Sequence, residues 1–441
     1  MTPPDWNSRK LHFIGIGGAG MSGLALVAVR LGAEVSGSDR NESSYLERVR
    51  RSGATVFLGH DADNLPSGAD VVISTAIAGD NPELAAAREG GHRVLHRSDL
   101  LSEFSSEKRT IAVAGTHGKT TTTGMLIWAM RNLGMDPAFF IGGELPGVAD
   151  DGGPSNSGWG EGEWAVVEAD ESDGSFLVLD PEVAVVTNIE MDHHSRWSGL
   201  VELRQAFTDF TGKARAAVLP QGEDELAASL DGTDFEFFDG EHPGPDPLEL
   251  VVPGRHNRLN ARAAIGALEA AGVDPAEAAG AMADFPGVKR RLEYKGMCEG
   301  SRVYDDYAHH PTEVEAALTA LRDLEPERLV AIFQPHLYSR TKVFRDSFGA
   351  ALALADEVIV LDVYPAREMP VGPLAGISGM DVLRAVADRS GGRASWWAPT
   401  LDAAERAARD RAVEGGILVT IGAGDITKVS DRLTSKDAAD G

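Results

Sequence analysis

Residues 112–121 read Ala112-Val113-Ala114-Gly115-Thr116-His117-Gly118-Lys119-Thr120-Thr121. The apolar residues before this glycine-containing loop predict a strand, and residues 119–133 predict a helix. Between a strand and a helix, the backbone amides of such a loop cradle phosphates, while Lys119 reaches the terminal phosphate and the Thr120 hydroxyl binds Mg²⁺. The usual spacing puts a further glycine at position 113, where this chain has valine, so the loop is a shortened variant. This stretch predicts a β–α unit that binds ATP.

The same alternation of short apolar strands with helical patterns continues through most of the chain. It predicts an α/β protein with largely parallel sheets. Strands are predicted at 11–16, 34–38, 70–75, 110–114, 164–168, 183–189, 302–306, 329–334, 357–363 and 417–421, and helices at 19–31, 119–133, 257–271, 311–323 and 401–413. Polar joins at 102–109 and near 286–296 divide the chain into three predicted domains, 1–108, 109–294 and 295–441. Residues 221–254 are rich in Asp, Glu, Gly and Pro, and they predict loops with weak strands.

Composition excludes several classes of protein. The net charge of −27 argues against nucleic-acid or anionic-membrane partners, which need a basic face. A single cysteine, Cys298, excludes an intrachain disulfide and a cysteine-based zinc site, and it favours a reducing, cytoplasmic location. The apolar stretch 11–33 is interrupted by six glycines, so we predict neither a signal peptide nor membrane insertion. Trp396-Trp397 is predicted to pack in the core or at a hinge.

A second glycine motif lies near the N-terminus, between a predicted strand and a predicted helix. It reads Gly15-Ile16-Gly17-Gly18-Ala19-Gly20, and Asp39 ends the next strand. Glycines in this position let backbone amides approach a pyrophosphate at a helix N-terminus, and the acidic residue can hold a ribose hydroxyl. The motif predicts a bound nucleotide diphosphate, and it leaves NAD and a UDP-sugar as alternatives.

Candidate metal ligands follow the two strands after the phosphate loop. Glu168 comes directly after one strand, and His193 follows the next. Because the carboxyl ends of parallel strands meet at one edge of a sheet, these side chains are expected near the phosphates. A magnesium ion held by Thr120 needs further oxygen ligands of this kind.

Several stretches, in this order along nearly the whole chain, resemble the Mur ligase family. They are Gly115-Thr116-His117-Gly118-Lys119-Thr120-Thr121-Thr122, Glu168-Ala169-Asp170-Glu171-Ser172-Asp173, Thr187-Asn188-Ile189-Glu190-Met191-Asp192-His193, Gly254-Arg255-His256-Asn257-Arg258-Leu259-Asn260, Arg290-Arg291, Asp305-Asp306-Tyr307-Ala308-His309-His310-Pro311-Thr312-Glu313 and Phe333-Gln334-Pro335-His336. The resemblance implies an N-terminal Rossmann-like domain that binds a UDP-substrate, a central P-loop ATPase domain and a C-terminal Rossmann-like domain. It also implies that ATP and Mg²⁺ drive ligation of L-alanine to the lactyl carboxylate of UDP-N-acetylmuramate through an acyl phosphate, in peptidoglycan synthesis.

The resemblance carries over to individual residues. The UDP-substrate is expected at Gly15, Gly17, Gly18, Ala19, Gly20 and Asp39. ATP is expected at Gly115, Thr116, His117, Gly118, Lys119, Thr120 and Thr121, with His256, Asn257 and Asn260 near adenine and with Arg291 and Asp306 as further contacts. Thr120 and Glu168 are expected to hold one metal ion, and His193 a second. Alanine is expected among Tyr307, His309, His336 and Arg340, where His309 either accepts the proton of the amine or only orients the substrate.

Two departures and three alternatives stay open. Residues 194–197 and Leu337 differ from what we expect of the family, which puts the muramyl contacts in doubt and leaves more of the carboxylate binding to Arg340. The alternatives are a recycling Mur ligase that adds a tripeptide, an NAD-dependent dehydrogenase and a non-catalytic nucleotide-binding protein. A cysteine is expected in place of Gly17 in the recycling enzyme. The chain is expected to be a monomer or a homodimer, and the sequence does not choose among alanine, glycine and serine.

Overall fold

A computed structural model describes residues 5–149, 153, 155–172, 174–191, 196–246, 248–366 and 368–435. The chain divides into two compact units. One comprises Met1–Leu250 with Arg258–Pro286, and the other comprises Val251–Asn257 with Gly287–Gly441. The described residues form three sheets, of which two lie in the first unit and one in the second. The predicted α/β class is therefore confirmed.

The first sheet is built from the N-terminal residues and is parallel throughout. Its strands and helices are β1 (Lys10–Ile14), α1 (Ala19–Arg30), β2 (Glu34–Asp39), α2 (Ser44–Arg51), β3 (Thr55–Leu58), β4 (Asp70–Ile73), α3 (Pro82–Glu89), β5 (Val94–His96) and α4 (Arg97–Ser105). The strand order β3-β2-β1-β4-β5 is that of a doubly wound sheet, in which ligands bind at the carboxyl ends of the central strands. The glycine turn lies at this edge, directly after β1.

The second sheet has seven strands and carries the phosphate loop. Its elements are β6 (Arg109–Ala114), α5 (Lys119–Asn132), β7 (Ala138–Leu145), β8 (Ser155–Gly158), β9 (Trp164–Glu168), β10 (Val183–Val186), α6 (Leu200–Thr211), β11 (Ala216–Pro220), α7 (Asp224–Ala228), β12 (Asp234–Phe238), α8 (Arg255–Ala270) and α9 (Pro275–Met282). The order is β12-β11-β10-β6-β9-β7-β8, and only the pair β7–β8 is antiparallel. Since β6 is central, the loop that follows it lies between the carboxyl ends of β9 and β10.

One apolar core joins the two sheets of the first unit. Phe104 of α4 is fully buried. Its ring stacks on Phe140 of β7 at 5.8 Å and contacts Trp6 at 4.7 Å between ring centroids. Each buried aromatic side chain of this size contributes about 1.5–3 kcal/mol of transfer free energy. This packing fixes α4, and with it the first residue of that helix, against the second sheet.

The second unit contains a six-stranded sheet of the same general kind. Its elements are β13 (Glu293–Cys298), β14 (Ser301–Asp306), α10 (Pro311–Arg322), β15 (Leu329–Phe333), α11 (Tyr338–Leu352), β16 (Glu357–Val360), α12 (Gly379–Arg389), β17 (Ser395–Trp397), α13 (Leu401–Arg409), β18 (Ile417–Ile421) and α14 (Thr427–Ser435). The order is β13-β14-β18-β15-β16-β17, with only β13–β14 antiparallel. The ends of β14 and β15 present Asp306 and the residues after Phe333.

Most predicted strands and helices are confirmed to within a few residues, and two local predictions need correction. Trp396 and Trp397 are 42% and 38% exposed, so the prediction that they pack in the core is wrong, and their predicted place at a hinge stays a prediction. They lie on the edge strand β17, where the Arg411 guanidinium covers the Trp396 ring at 3.8 Å. In the region 221–254, the weak strand is present as β12, and the helix α7 was not predicted. None of the helices in the described residues combines the length and apolarity that a membrane crossing requires.

Candidate active site

The glycine turn after β1 is closed by Asp39. Gly15 has φ +83°, and the Gly18 amide donates to the Gly15 carbonyl at 3.1 Å. Asp39, at the end of β2, accepts a hydrogen bond from the Gly17 amide at 3.0 Å and one from the Asn41 amide at 3.2 Å. No described side chain caps α1 at Gly18. The first turn of α1, with Ala19 and Gly20, therefore keeps the dipole and amides that favour an anion.

The phosphate loop is held in shape by the segment that follows β10. The amides of Thr116 and His117 donate to the carbonyl and the side-chain oxygen of Asn188 at 3.1 and 2.9 Å. The Thr187 hydroxyl donates to the His117 carbonyl at 2.5 Å. At Gly115, with φ +132°, a Cβ would lie 2.1 Å from the Thr187 hydroxyl oxygen. The loop is consequently ordered before any phosphate arrives, which lowers the entropic cost of binding.

Gly118 ends the loop in a left-handed conformation and contacts Asn260 of α8. Its φ is +83°, and a Cβ there would lie 2.4 Å from the Asn260 side-chain oxygen. Thr121 and Thr122 follow in the first turn of α5, and both are buried. Glycine is therefore required at position 118 both by the backbone conformation and by the close approach of α8.

Gly118→Ala is expected to weaken ATP binding at least about tenfold, because the added methyl group must displace Asn260 or the loop. The left-handed backbone also costs roughly 1–2 kcal/mol of unfolding free energy for a residue with a Cβ. Gly134→Ala is the matched control, since Gly134 has φ +73° and open space around its Cβ position. Urea unfolding should show a loss in both variants, and a larger one in Gly118→Ala because of the contact with Asn260, whereas titration calorimetry with ATP should detect a loss only in Gly118→Ala. Equal ATP affinity in the two variants would contradict this role.

Lys119 is the first residue of α5, and its ammonium group folds back onto the phosphate loop that precedes the helix. Its Nζ atom lies 2.7 Å from Glu171 Oε2, and it donates to the carbonyl of Gly115 at 2.5 Å. Both side chains are largely buried. Burial alone would lower the pKa of Lys119, but the carboxylates of Glu171, Asp170 and Glu168 outweigh it and raise that pKa. The ammonium group is therefore charged at neutral pH, next to the loop amides that would receive phosphate oxygens.

Thr120 and Glu168 lie together, as the sequence predicted. The Thr120 hydroxyl donates to Glu168 Oε1 at 2.9 Å, and the Gly142 amide donates to Glu168 Oε2 at 2.6 Å. A hydroxyl and a carboxylate are the hard oxygen ligands that Mg²⁺ takes in nucleotide sites, usually with several waters. These two residues fit a magnesium ion. His193, the other predicted ligand and catalytic residue, lies outside the described residues.

The second unit brings the four predicted alanine-pocket residues into one cluster. The rings of Tyr307 and His309 are 5.5 Å apart, and those of His309 and His336 are 6.1 Å apart, between centroids. Arg340 Nη1 lies 3.3 Å from His336 Nδ1. Tyr364, which the sequence analysis missed, stacks on His336 at 5.8 Å. The cluster combines a cation with aromatic faces, which suits a small amino acid.

His309 is a neutral imidazole with a defined tautomer. Its Nδ1 lies 3.1 Å from the Tyr307 carbonyl, which can only accept, so Nδ1 carries the proton and Nε2 keeps its lone pair. Burial lowers the pKa of His309 to about 4, with Arg340 and Arg291 adding to the effect and Glu313 partly opposing it. At neutral pH, Nε2 can accept a proton.

The His309 imidazole is expected to titrate near pH 4, and not near the value of about 6.5 of an unfolded peptide. The lowered pKa means that the neutral form stabilises the folded state. This contribution is complete above pH 6.5 and is lost as the pH falls from 6.5 towards 4. The Cε1 proton resonance, assigned by its loss in His309→Ala, should keep its neutral position down to about pH 5. Glu313→Gln should move the midpoint lower still, and a midpoint at 6 or above would contradict this environment.

Arg291, one of the two predicted nucleotide contacts of the second unit, lies on the turn before β13. The other, Asp306, is the last residue of β14 and accepts a hydrogen bond from that turn. Arg290 and Leu292 have φ +61° and +47°, a conformation that costs non-glycine residues free energy. Asp306 accepts from the amides of Leu292 and Ala308 at 2.7 Å each. Burial raises the pKa of Asp306 to about 6, against the opposing effects of Arg291 and of these two amides. Asp306 thus fixes the backbone directly after Arg291 and directly after Tyr307.

The predicted adenine contacts lie on the first turns of α8. The Asn257 amide nitrogen donates to the Pro253 carbonyl at 2.7 Å, and Asn257 and Asn260 are buried. A Cβ on Gly254 would lie 2.9 Å from the His256 ring, so His256 packs on the turn that begins the helix. Their roles toward a nucleotide stay predictions.

Comparison with known proteins places these features in one family. A family model described as "Mur ligase family, catalytic domain" matches residues 10–109, and one described as "Mur ligase, glutamate ligase domain" matches residues 290–424. The chain is similar to the UDP-N-acetylmuramate–L-alanine ligases of Renibacterium salmoninarum and Streptomyces coelicolor. The first is 43% identical, covering 95% of this chain and 94% of that protein, and the second is 42% identical, covering 96% of each.

Solved structures give the same result. The UDP-N-acetylmuramate–alanine ligase MurC from Thermotoga maritima is similar, with a TM-score of 0.80 and 30% identity, covering 98% of this chain and all of that one. A murein peptide ligase from Psychrobacter arcticus is similar as well, with a TM-score of 0.69 and 25% identity, covering 97% of this chain and 98% of that one.

Proposed function

The chain belongs to the Mur ligase family, and on this premise we propose that it joins L-alanine to the lactyl carboxylate of UDP-N-acetylmuramate at the expense of ATP. The observation that carries the proposal is the phosphate loop, where Lys119 and the Thr120–Glu168 pair meet at one sheet edge. Relatives that bear this activity in their names match more than nine-tenths of the chain. The proposed domains 1–108, 109–294 and 295–441 are supported by the presence of three sheets, although the third sheet begins at Glu293, before the last proposed boundary.

The chemistry begins with a carboxylate, which is a poor acyl donor because its leaving group would be oxide. An oxygen of the lactyl carboxylate attacks the γ-phosphorus of ATP, the bond from that phosphorus to the β–γ bridging oxygen breaks, and ADP leaves. The resulting acyl phosphate carries a good leaving group. Phosphoryl transfer depends mainly on positioning and charge neutralisation. The loop amides of residues 115–121 position the phosphates, and Lys119 neutralises part of their charge.

Mg²⁺ belongs to the proposal through the Thr120–Glu168 pair. When bound there, the ion neutralises phosphate charge and holds phosphate oxygens in place. His193 is proposed as a further ligand, on the resemblance alone. His256, Asn257 and Asn260 are proposed to contact adenine, and Arg291 and Asp306 are proposed as further nucleotide contacts.

The amino acid is proposed to bind at the cluster of Tyr307, His309, His336 and Arg340. The α-amine of alanine must be neutral to attack the acyl carbon. It forms a tetrahedral intermediate, which collapses to the amide and expels phosphate. His309 Nε2 is unprotonated at physiological pH and has a lone pair for the proton that the nitrogen loses, but its low pKa makes it a weak base. A phosphate oxygen is the competing acceptor.

The UDP-substrate is proposed to bind with its diphosphate on the glycine turn. The Gly17 and Gly18 amides already donate to Asp39 and to the Gly15 carbonyl, so the first turn of α1, with Ala19 and Gly20, supplies the dipole and amides that favour an anion. Gly15 supplies the left-handed backbone of the turn, and Asp39 closes it. A nicotinamide dehydrogenase would explain this turn, but it would leave the phosphate loop and its Thr120–Glu168 pair without a use.

Product formation tests the proposal. The purified chain, ATP, Mg²⁺ and UDP-N-acetylmuramate are mixed with alanine, glycine or serine, and phosphate and the UDP-product are quantified. Alanine should yield ADP, phosphate and the alanyl product in equal amounts, faster than glycine or serine. A parallel reaction with the tripeptide L-alanyl-γ-D-glutamyl-meso-diaminopimelate distinguishes the recycling alternative. Faster ligation of the tripeptide, or no ATP turnover with any amino acid, would overturn the proposal.

A further inference from the structure

A small cavity lies in the first unit between the start of α1 and the ends of β7 and β9. Its volume is about 100 Å³, and Gly20, Arg97, Asn156, Glu168 and Asp170 are among its lining residues. Whole-ligand pockets usually measure about 300–1,000 Å³, so this cavity has the size for one end of a substrate. It extends from the helix that receives the proposed diphosphate to the carboxylate that holds the proposed metal ion.

Arg97 is the only cationic side chain among the described residues that line this cavity. It is the first residue of α4, whose position is fixed by the buried Phe104. Its Nη2 atom lies 3.7 Å from Asp170 Oδ2, and the side chain is 25% exposed. Its Nη1 atom lies 3.6 Å from the position that a Cβ would take on Gly20. The guanidinium thus spans the distance from α1 to the acidic end of β9.

The part of the wall formed by Asn156 of β8 has unused hydrogen-bonding capacity. The side-chain nitrogen of Asn156 donates to the Ala19 carbonyl at 2.6 Å. Its Oδ1 atom is buried without a hydrogen-bond partner among the described residues. Buried polar atoms of this kind are costly unless a ligand or water pairs with them. If this space were only an apolar packing interface, its wall would not be expected to contain a buried polar atom without a partner.

We propose that this cavity binds the lactyl end of UDP-N-acetylmuramate and that Arg97 binds its carboxylate. The inference rests on the proposed function and names the residue that selects the acceptor. A carboxylate brought to Glu168 and Asp170 meets two negative groups, so its approach requires a cation on the same wall, and Arg97 supplies it. Arg97 forms an ion pair with Asp170, at the end of the cavity that holds Glu168, and this position favours the carboxylate over the diphosphate as its ligand. A guanidinium can hold both carboxylate oxygens at once.

The test uses two UDP-sugars that differ at the lactyl group. UDP-N-acetylglucosamine has the same diphosphate as UDP-N-acetylmuramate and lacks the lactyl carboxylate. Dissociation constants of both are measured by calorimetry for the wild type, Arg97→Gln and Arg97→Lys, with Mg²⁺ and a non-hydrolysable ATP analogue present. Arg93→Gln is the matched control, since Arg93 pairs with Asp70 and Glu103 outside the cavity. Thermal unfolding midpoints show which variants are folded.

Arg97→Gln should weaken the binding of UDP-N-acetylmuramate about 10- to 100-fold. It should leave the dissociation constant of UDP-N-acetylglucosamine within about threefold of the wild-type value. The affinity of Arg97→Lys for UDP-N-acetylmuramate should lie between those of the wild type and Arg97→Gln, because lysine keeps the charge and loses the paired donors. An equal loss for both sugars would assign Arg97 to the diphosphate and overturn the inference, as would unchanged affinity for both. These outcomes are distinguishable from failure of the proposed function, which is tested by the ligation of alanine and of the tripeptide by the wild type.

Discussion

Lys119→Ala is expected to lower kcat at least about a hundredfold. A hydrogen bond from a charged donor contributes about 1.5–3 kcal/mol, and each 1.36 kcal/mol of transition-state stabilisation is a factor of ten in rate. Lys119 is the ammonium group at the phosphate loop, and the carboxylates around it keep it charged. The measurement is the rate of phosphate release at saturating ATP, UDP-N-acetylmuramate and alanine.

The same substitution removes the buried counter-charge of Glu171 and is expected to lower stability. The rates are therefore compared well below the unfolding midpoint of each variant. Lys10→Ala is the control, because Lys10 is half exposed and forms a surface pair with Glu34. Turnover by Lys119→Ala within about threefold of that control would contradict the assignment of Lys119 to the phosphates.

Glu168→Gln is expected to lower kcat about 10²- to 10³-fold, which is a similar or larger loss than that of Lys119→Ala. It is also expected to raise the Mg²⁺ concentration needed for half-maximal rate. The amide keeps the shape of the side chain, and its one oxygen can still accept from the Gly142 amide while its nitrogen donates to the Thr120 hydroxyl oxygen. It removes the negative charge that holds the ion. The rate is measured as a function of Mg²⁺ concentration at constant MgATP.

Glu163→Gln is the matched control for this substitution. Glu163 lies directly before β9, pairs with Arg109 and has a side chain that is 74% exposed. The control should show the wild-type dependence on Mg²⁺. If Glu168→Gln shows it too, Glu168 does not ligate the metal.

The fold was predictable where a strand is apolar enough to be buried on both faces. The central strands β6, β9, β10, β15 and β18 are of this kind, and each was predicted within a residue or a few. The strand β8, Ser155–Gly158, was missed because its sequence Ser-Asn-Ser-Gly has no apolar alternation. Its small side chains are selected by the close approach of α1, where a Cβ on Gly23 would lie 3.1 Å from Ser157. Such packing between distant segments leaves no local signal.

The candidate site, like the fold, could be predicted from the sequence only in part. The motif residues Thr120 and Glu168 were predicted from their places at a helix start and a strand end, and the structure brings them together. Glu171 was part of a quoted motif, but nothing in the sequence showed that its side chain turns toward Lys119. Arg97 lies outside the motifs, and its approach to Asp170 depends on how α4 packs against the second sheet. A cation at the start of a helix, where acidic residues are the usual choice, was the available hint.

The net charge of −27 conflicts with substrates that are polyanions. Screening limits the reach of distant surface charges to roughly 8 Å at physiological ionic strength. Near the site, Lys119 and Arg97 each face carboxylates of the 168–171 segment, so these charges neutralise one another. When the ligands bind, we expect the phosphates to pair with Lys119 and the substrate carboxylate to pair with Arg97.

Oxygen transfer from the substrate carboxylate tests the central claim, that ATP activates this group before the amine attacks. UDP-N-acetylmuramate labelled with ¹⁸O in its lactyl carboxylate is turned over with ATP, Mg²⁺ and alanine, and the phosphate produced is analysed by mass spectrometry. The account predicts one labelled oxygen in each phosphate released. Phosphate that carries no label while the alanyl product forms would show that the carboxylate is never phosphorylated, and the account would be wrong.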